Sequence, residues 1–416
     1  MNISLYVDDF INLWERSSIL FPKLGEEISV AEKFKREEEL DQFSKKVKSS
    51  AMTGKSDYYA HKELKLQFKQ NIMAFAKNAF NFRDSELAMM SEKGFTSATK
   101  DFMRMARNFD PDVKMDDVFQ ACRNLWIINS LQIMMQEPVQ VTPSIFAYSM
   151  LYPYSDNYLD DPSITKQDKI EFSKRFRMRL SGEIILPKNS HERAIFDLVS
   201  MIESDWSREI YPDVYESLLA IQDAQTKSIV LLGDKKELTN RDLLSICIEK
   251  GGTSVLADGY LINGTMTKGQ EWFCFGFGTF LQFIDDIQDL KEDMDGQLET
   301  IFTRAAKTSN LEEFTNRTLS FSNEVMTDLS CFQGEELEAM KGLMIKSLNF
   351  MTNEAVGLNQ QYFSNEYSAS FERYSPFSYS FLKKKRTKMD PNRISIMKKI
   401  EEFVFPEDRR TALIVS

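Results

Sequence analysis

Two acidic stretches hold the side chains best suited to chemistry. In the first, Ser155-Asp156-Asn157-Tyr158-Leu159-Asp160-Asp161, Asp156 and Asp160 stand four residues apart. On a helix that spacing puts both carboxylates on one face, where like charges repel by roughly 0.2–0.5 kcal/mol. Pro153 is a potential kink, and Tyr148 and Tyr152 continue the stripe by fours. The second stretch runs from Gln282 through Asp285, Asp286, Asp289 and Glu292 to Asp293. Asp285, Asp289 and Asp293 fall within an arc of about 80° at 100° per residue. Gln282, Gly278 and Phe275 lie above them on the same stripe.

Magnesium prefers hard oxygen ligands and commonly bridges carboxylates to substrate phosphates. Two acidic helix faces turned toward one another would hold such ions against a diphosphate. Neutralising that leaving group lets a C–O bond break without a strong acid, and the apolar wall beneath would shelter a hydrocarbon. Either stretch alone also fits the solvated face of an ordinary helix. The second, however, follows the apolar run Trp272 to Ile284 directly, so its acids leave a buried segment. Both motifs occur about 125 residues apart in one chain, which favours the metal reading.

The elements that must position them are helical. Segments rich in Leu, Met, Phe, Glu and Lys are broken by short Pro, Gly, Asn and Asp clusters, and alternating strand patterns are scarce. Helices are expected near 4–20, 27–47, 60–80, 84–107 and 114–136. Thr142-Pro143 reads as an N-cap with proline at the first helical position, opening a helix to Asp160. Further helices are expected near 166–181, 189–206 and 211–232, and one from Thr239-Asn240 that breaks at Gly251-Gly252. The last group comprises 268–294, 310–331, 334–363 and 391–403, with an aromatic and basic stretch at 371–388. The expected fold class is all-α, a helical array around a central cavity. The N-terminal helices of 1–110 should pack on a catalytic core of 111–416.

Bulk properties narrow the function. The 416-residue chain is 42% hydrophobic with a net charge of -11, which argues against nucleic acid as a partner. Cys122, Cys247, Cys274 and Cys331 form no CxxC pair, so neither a disulfide framework nor a zinc site is expected. With only His61 and His191, read as surface residues, neither a histidine triad nor a multi-histidine metal site is expected. The N-terminus has no basic region typical of a signal peptide, and Trp272 to Ile284 is too short to span a bilayer. A cytoplasmic location is expected, with peripheral membrane contact if the substrate is lipid-borne.

The motif from Gln282 to Asp293 resembles the second aspartate motif of isoprenyl diphosphate synthases, with Leu281 in place of the usual Phe. It is also similar to the Gln and paired Asp of squalene and phytoene synthases. Asp156, Asp160 and Asp161 resemble the first aspartate-rich motif. The resemblance is to the class I terpenoid synthase superfamily and covers roughly residues 115–375. The chain lacks the arginine and glycine that follow the first motif in chain-elongating synthases, and the arginine that precedes it in squalene and phytoene synthases. The segment from Tyr154 to Asp161 looks closer to large bacterial terpene synthases similar to tetraprenyl-β-curcumene synthase.

The resemblance implies an enzyme that ionises a polyprenyl diphosphate and cyclises or deprotonates the resulting cation. Asp156, Asp160, Asp161, Asp285, Asp289 and Asp293 would bind magnesium, or manganese in its place. The alternatives are a prenyltransferase that condenses isoprenoid diphosphates and a non-catalytic helical scaffold or lipid carrier. Candidate substrate contacts are Lys250 beside the glycine pair, Arg175 and Arg179 on one helix face, and Gln282. The pair Arg373-Tyr374 resembles a diphosphate sensor, and Tyr152 and Phe275 are candidate pocket aromatics, with Phe273, Phe277 and Phe280 beside Phe275. Gly276 and Gly278 make room either for a prenyl chain or for a neighbouring helix. The basic run Lys383-Lys384-Lys385-Arg386 would close over the site or meet anionic lipid.

Overall fold

The computed structural model describes residues 1–50, 77, 81–161, 163–229, 238–308 and 311–385, without the side chains of 43, 44, 46–50 and Asp160. The helix expected at 391–403, His61 and Arg386 lie outside the described residues, as does all but Lys77 of the helix expected at 60–80.

Every described element is a helix, and no strand occurs among the described residues. The N-terminal part comprises α1 (Ile3–Arg16), α2 (Val30–Ser50), α3 (Asp84–Glu92) and α4 (Phe95–Phe109). The expected helix at 84–107 is therefore two, because Gly94 turns the chain at φ +101 between them. Then follow α5 (Met115–Met134), α6 (Pro143–Asp160), α7 (Lys166–Leu180), α8 (Ser190–Asp205) and α9 (Pro212–Ser228). The centre is α10 (Asn240–Asn263) and α11 (Lys268–Gln288). Beyond it lie α12 (Leu290–Asp295), α13 (Ile301–Lys307), α14 (Leu311–Thr327), α15 (Leu337–Leu358) and α16 (Asn365–Glu372).

Local chemistry explains the boundaries near the acidic motifs. Thr142 caps α6 by accepting from the Ile145 amide at 3.2 Å, with Pro143 at the first position. Thr239 and Asp242 form a reciprocal capping box for α10, and Thr267 and Gln270 do so for α11. Between them Gly264 ends α10 at φ +73, with the Tyr211 and Trp206 rings against its Cα.

Among the described helices, the α10–α11 pair forms the most extensive contact. The expectation that Gly251-Gly252 breaks a helix is overturned: α10 runs through both. Each glycine costs about 1 kcal/mol against alanine in a helix, and close packing is what they supply. A Cβ on Gly251 would lie 2.5 Å from the Gln282 Cβ and 2.6 Å from the Gly278 carbonyl oxygen. A Cβ on Gly252 would strike the Phe275 ring. Gly278 likewise faces the Gly251 backbone, and Gly276 faces Phe10. These glycines make room for helices.

α9 and α1 flank α10, while α14 and α15 cover α11. α6 packs on α5 and α8, and α7 on α8 and α9. One hydrophobic core reaches from Val7 to Tyr379. The N-terminal helix is part of it, since Trp14 packs among Phe283, Phe302, Phe314 and Phe321. No described helix is long and apolar enough to cross a membrane.

Candidate functional site

An open pocket of about 760 Å³, its solvent-filled mouth included, lies between α6, α9, α10 and α11. Asp156 and Leu159 of the first motif line it from α6, and Gln282 and Asp286 of the second line it from α11. Gln225 and Ser228 enter from α9, Cys247 and Lys250 from α10, and Leu298 and Thr300 from the turn before α13. The fold thus brings both acidic motifs to one space. A second, mostly apolar cleft of about 330 Å³ adjoins it, lined by Tyr148, Leu151, Tyr152 and Ser155 of α6. Phe176 and Leu180 of α7 and Leu218, Ile221 and Gln222 of α9 complete its walls, and Gln225 borders both spaces.

Neutral amides orient the acids. The Gln225 amide donates to Asp156 Oδ1 at 2.7 Å, and the Ser155 hydroxyl donates to the same atom at 3.1 Å. The Gln282 amide donates to Asp286 Oδ1 at 2.8 Å, and the Cys247 thiol to Asp286 Oδ2 at 3.2 Å. Burial pushes the Asp286 carboxyl up to about 6, against these two hydrogen bonds and Lys250, with Asp285 adding repulsion. Asp293 rises to about 8, chiefly from burial and then from the charges of Asp286, Asp289 and Asp285. Of the five carboxylates in the second motif, Asp285, Asp286 and Asp289 are therefore close enough to act on Asp293 by repulsion.

The geometry redistributes roles within that motif. Asp286, which shares the Gln282 face by a spacing of four, is the buried cavity carboxylate, whereas Asp285 is exposed. The expected helix of 268–294 is interrupted at Asp289. The cause is Asn359, whose amide donates to the Ile287 and Gln288 carbonyl oxygens at 2.8 and 3.1 Å. Beyond the break α12 carries Asp293 at its first turn. Asp289 and Asp293 are half-buried and belong to the repelling cluster, though neither lines the cavity.

Other sequence-predicted residues are divided. Lys250 and Gln282 reach the cavity, and Tyr152 lines the apolar cleft. Tyr148 and Tyr152 meet edge to face with centroids 5.6 Å apart, and the Tyr148 hydroxyl donates to the Ser254 carbonyl at 2.9 Å. Asp161 caps the turn after α6, where its Oδ1 accepts from the Ser163 amide at 2.7 Å. Asp160 ends α6, and its side chain lies outside the description.

Arg175 and Arg179 are not brought to the cavity. Arg175 binds Glu192 at 2.7 Å and Arg179 binds Glu203 at 2.7 Å, which ties α7 to α8. Arg373 faces Glu27 at 3.6 Å, and the Tyr374 ring lies 6.4 Å from that of Phe21, so this pair anchors the segment after α1. Phe273, Phe275, Phe277 and Phe280 are core residues, with Phe275 stacked on Tyr6 and Phe10. In the basic run, Lys383 donates to Gln360 at 2.7 Å and Lys385 pairs with Asp41. His191 is half-buried and stacks on Tyr158 at 4.7 Å, because it stitches α8 to the end of α6.

Three polar residues carried no sequence motif. Gln225 and Cys247 became site residues only through helix packing. Asp258 lies wholly buried on α10, where its Oδ1 accepts from the Asn124 amide at 2.9 Å and its Oδ2 meets no partner. Burial holds its carboxyl well above the usual carboxylate range.

The donor set suits a hard divalent cation, being carboxylate oxygen that repels itself without one. Among the described residues, however, no three or more His, Cys, Asp or Glu side chains are already gathered around a single ion position. Magnesium sites commonly use only one or two carboxylates and complete their shell with water and substrate phosphate, a coordination that Asp156 and Asp286 would suit. No protein-family model matches the chain, and no curated protein matches it.

Proposed function

We propose that this protein is a class I terpenoid synthase-type enzyme that ionises a polyprenyl diphosphate. The observation that carries the reading is the single cavity lined by Asp156 on one side and by Gln282, Asp286 and Lys250 on the other.

In this reading Asp156 holds magnesium from the first motif, while Asp286, Asp285, Asp289 and Asp293 supply carboxylates from the second. Magnesium, when bound, would offset the charge that develops on the departing diphosphate. Lys250 adds a protein cation to that diphosphate. Gln225 and Gln282 fix the orientation of Asp156 and Asp286. The prenyl chain runs past Gln225 toward the apolar cleft walled by Tyr148, Tyr152, Phe176 and Leu218, which must widen to admit it. Tyr152 lines that cleft, and a cation held over its ring would gain roughly 0.5–2 kcal/mol.

The test is incubation with prenyl diphosphates from ten to thirty-five carbons and magnesium, following diphosphate release and hydrocarbon products. Asp156→Ala should reduce release by about 100-fold or more, the usual scale for removing an electrostatic stabiliser. If no substrate releases diphosphate faster than the Asp285→Ala/Asp289→Ala double variant does, the reading fails. A requirement for a second diphosphate substrate would assign prenyl transfer instead.

A further inference from the structure

At the end of the apolar cleft remote from Asp156, α7 closes on Leu180 and the chain enters the loop 181–189. That loop is extended and alternates. Ile184 is 101% exposed and Leu186 86%, while Ile185 between them packs against the core. A third exposed aliphatic, Ile210, is 70% exposed in the turn between α8 and α9. The two turns are neighbours. Arg208 donates to the Leu180 carbonyl at 2.5 Å, and its side chain lies 3.2 Å from where a Cβ on Gly182 would stand. Arg175 pins the other end of the loop through the Leu186 carbonyl at 2.6 Å. Three aliphatic side chains therefore project into water from a braced scaffold, one helix terminus away from the cleft.

We propose that Ile184, Leu186 and Ile210 form a membrane-contact tip that inserts into a zwitterionic bilayer surface. Three considerations select lipid over other occupants. Three such side chains offer on the order of 300 Å² of apolar area, well below the ~800 Å² per partner of a stable protein interface. They stand out singly, a shape that suits the acyl boundary of a bilayer. The cations around them are engaged internally: Arg208 and Arg179 with Glu203, Arg175 with Glu192, Lys188 with Glu171. With a net charge of -11 and these cations paired, the tip offers little to anionic headgroups, so aliphatic insertion is its driving contact. The tip would set the open cleft beside the layer in which apolar substrates dissolve. The contact is independent of the diphosphate reading and stands if that reading fails.

The experiment is flotation of the full chain with phosphatidylcholine vesicles. Binding should be reversible and change less than about twofold between low and high salt, because screening weakens only charge attraction. The triple variant Ile184→Ser/Leu186→Ser/Ile210→Ser should reduce binding at least about tenfold with an unchanged circular dichroism spectrum, since all three side chains are solvent-exposed. Absence of wild-type flotation would overturn the proposal, and so would equal flotation of the triple variant. Binding that needs anionic lipid and is lost in Lys383→Ala/Lys384→Ala would assign contact to the basic run instead. A dimer that the triple variant dissociates, without vesicle binding, would assign the tip to a second copy of the chain.

Discussion

Gln225 and Gln282 are neutral side chains, yet each holds a cavity carboxylate at hydrogen-bond distance from a different helix or turn. If orientation of Asp156 matters to the reaction, Gln225→Leu should lower kcat by roughly tenfold or more, with less effect on KM, because the lost contact belongs to positioning. A change in KM alone would show the glutamine to be a binding contact. Asp258 permits a separate prediction about pH. Its folded pKa is raised, so its contribution to stability is full below the unfolded value near 4 and is lost as pH rises toward the folded value. The Asp258→Asn variant cannot ionise there. Its melting temperature should therefore gain on the wild type as pH moves from about 4.5 to 7.5. Parallel pH profiles for the two proteins would refute that account.

At the scale of elements, the α10–α11 contact depends on Gly251 and Gly278 facing each other backbone to backbone. Gly278→Ala gains about 1 kcal/mol of helix propensity but places a methyl against the Gly251 carbonyl, where neither backbone can yield independently. Overpacking of this kind costs about 1–3 kcal/mol. Denaturant titration should give a net loss of stability, and a more stable variant would mean that the helices separate without penalty. The break at Asp289 has its own support in Asn359. Asn359→Ala leaves the Ile287 and Gln288 carbonyls without their side-chain donor, a loss of about 1–3 kcal/mol. It should also move the Asp289 and Asp293 carboxylates, detectable as altered magnesium dependence of diphosphate release. An unchanged magnesium profile would separate the break from the site.

For the molecule as a whole, the N-terminal helix is built into the same core as the cavity helices. Trp14 contacts the rings of Phe283 and Phe302, the first of which is three residues from Asp286 on α11. Trp14→Ala should cost about 3–5 kcal/mol and lower the midpoint of a single cooperative transition. Two resolved transitions, with only the first displaced, would divide 1–110 from the remainder energetically.

The acidic spacing, the caps and the apolar periodicity determined by themselves that the chain is helical and which segments carry carboxylates. Thr142 and Thr239 marked helix starts because their hydroxyls act on amides three residues away. Such information is local and survives in a linear reading. Which acid of the second motif turns inward was decided by tertiary structure. Asp285 and Asp286 are chemically identical neighbours, and only the approach of α10, permitted by Gly251 and Gly278, buries one and exposes the other. The pairing of Arg175 and Arg179 with α8, the continuity of α10 and the arrival of Gln225 beside Asp156 have the same origin. Each depends on what a distant helix presents across the gap, and no spacing along the chain encodes that.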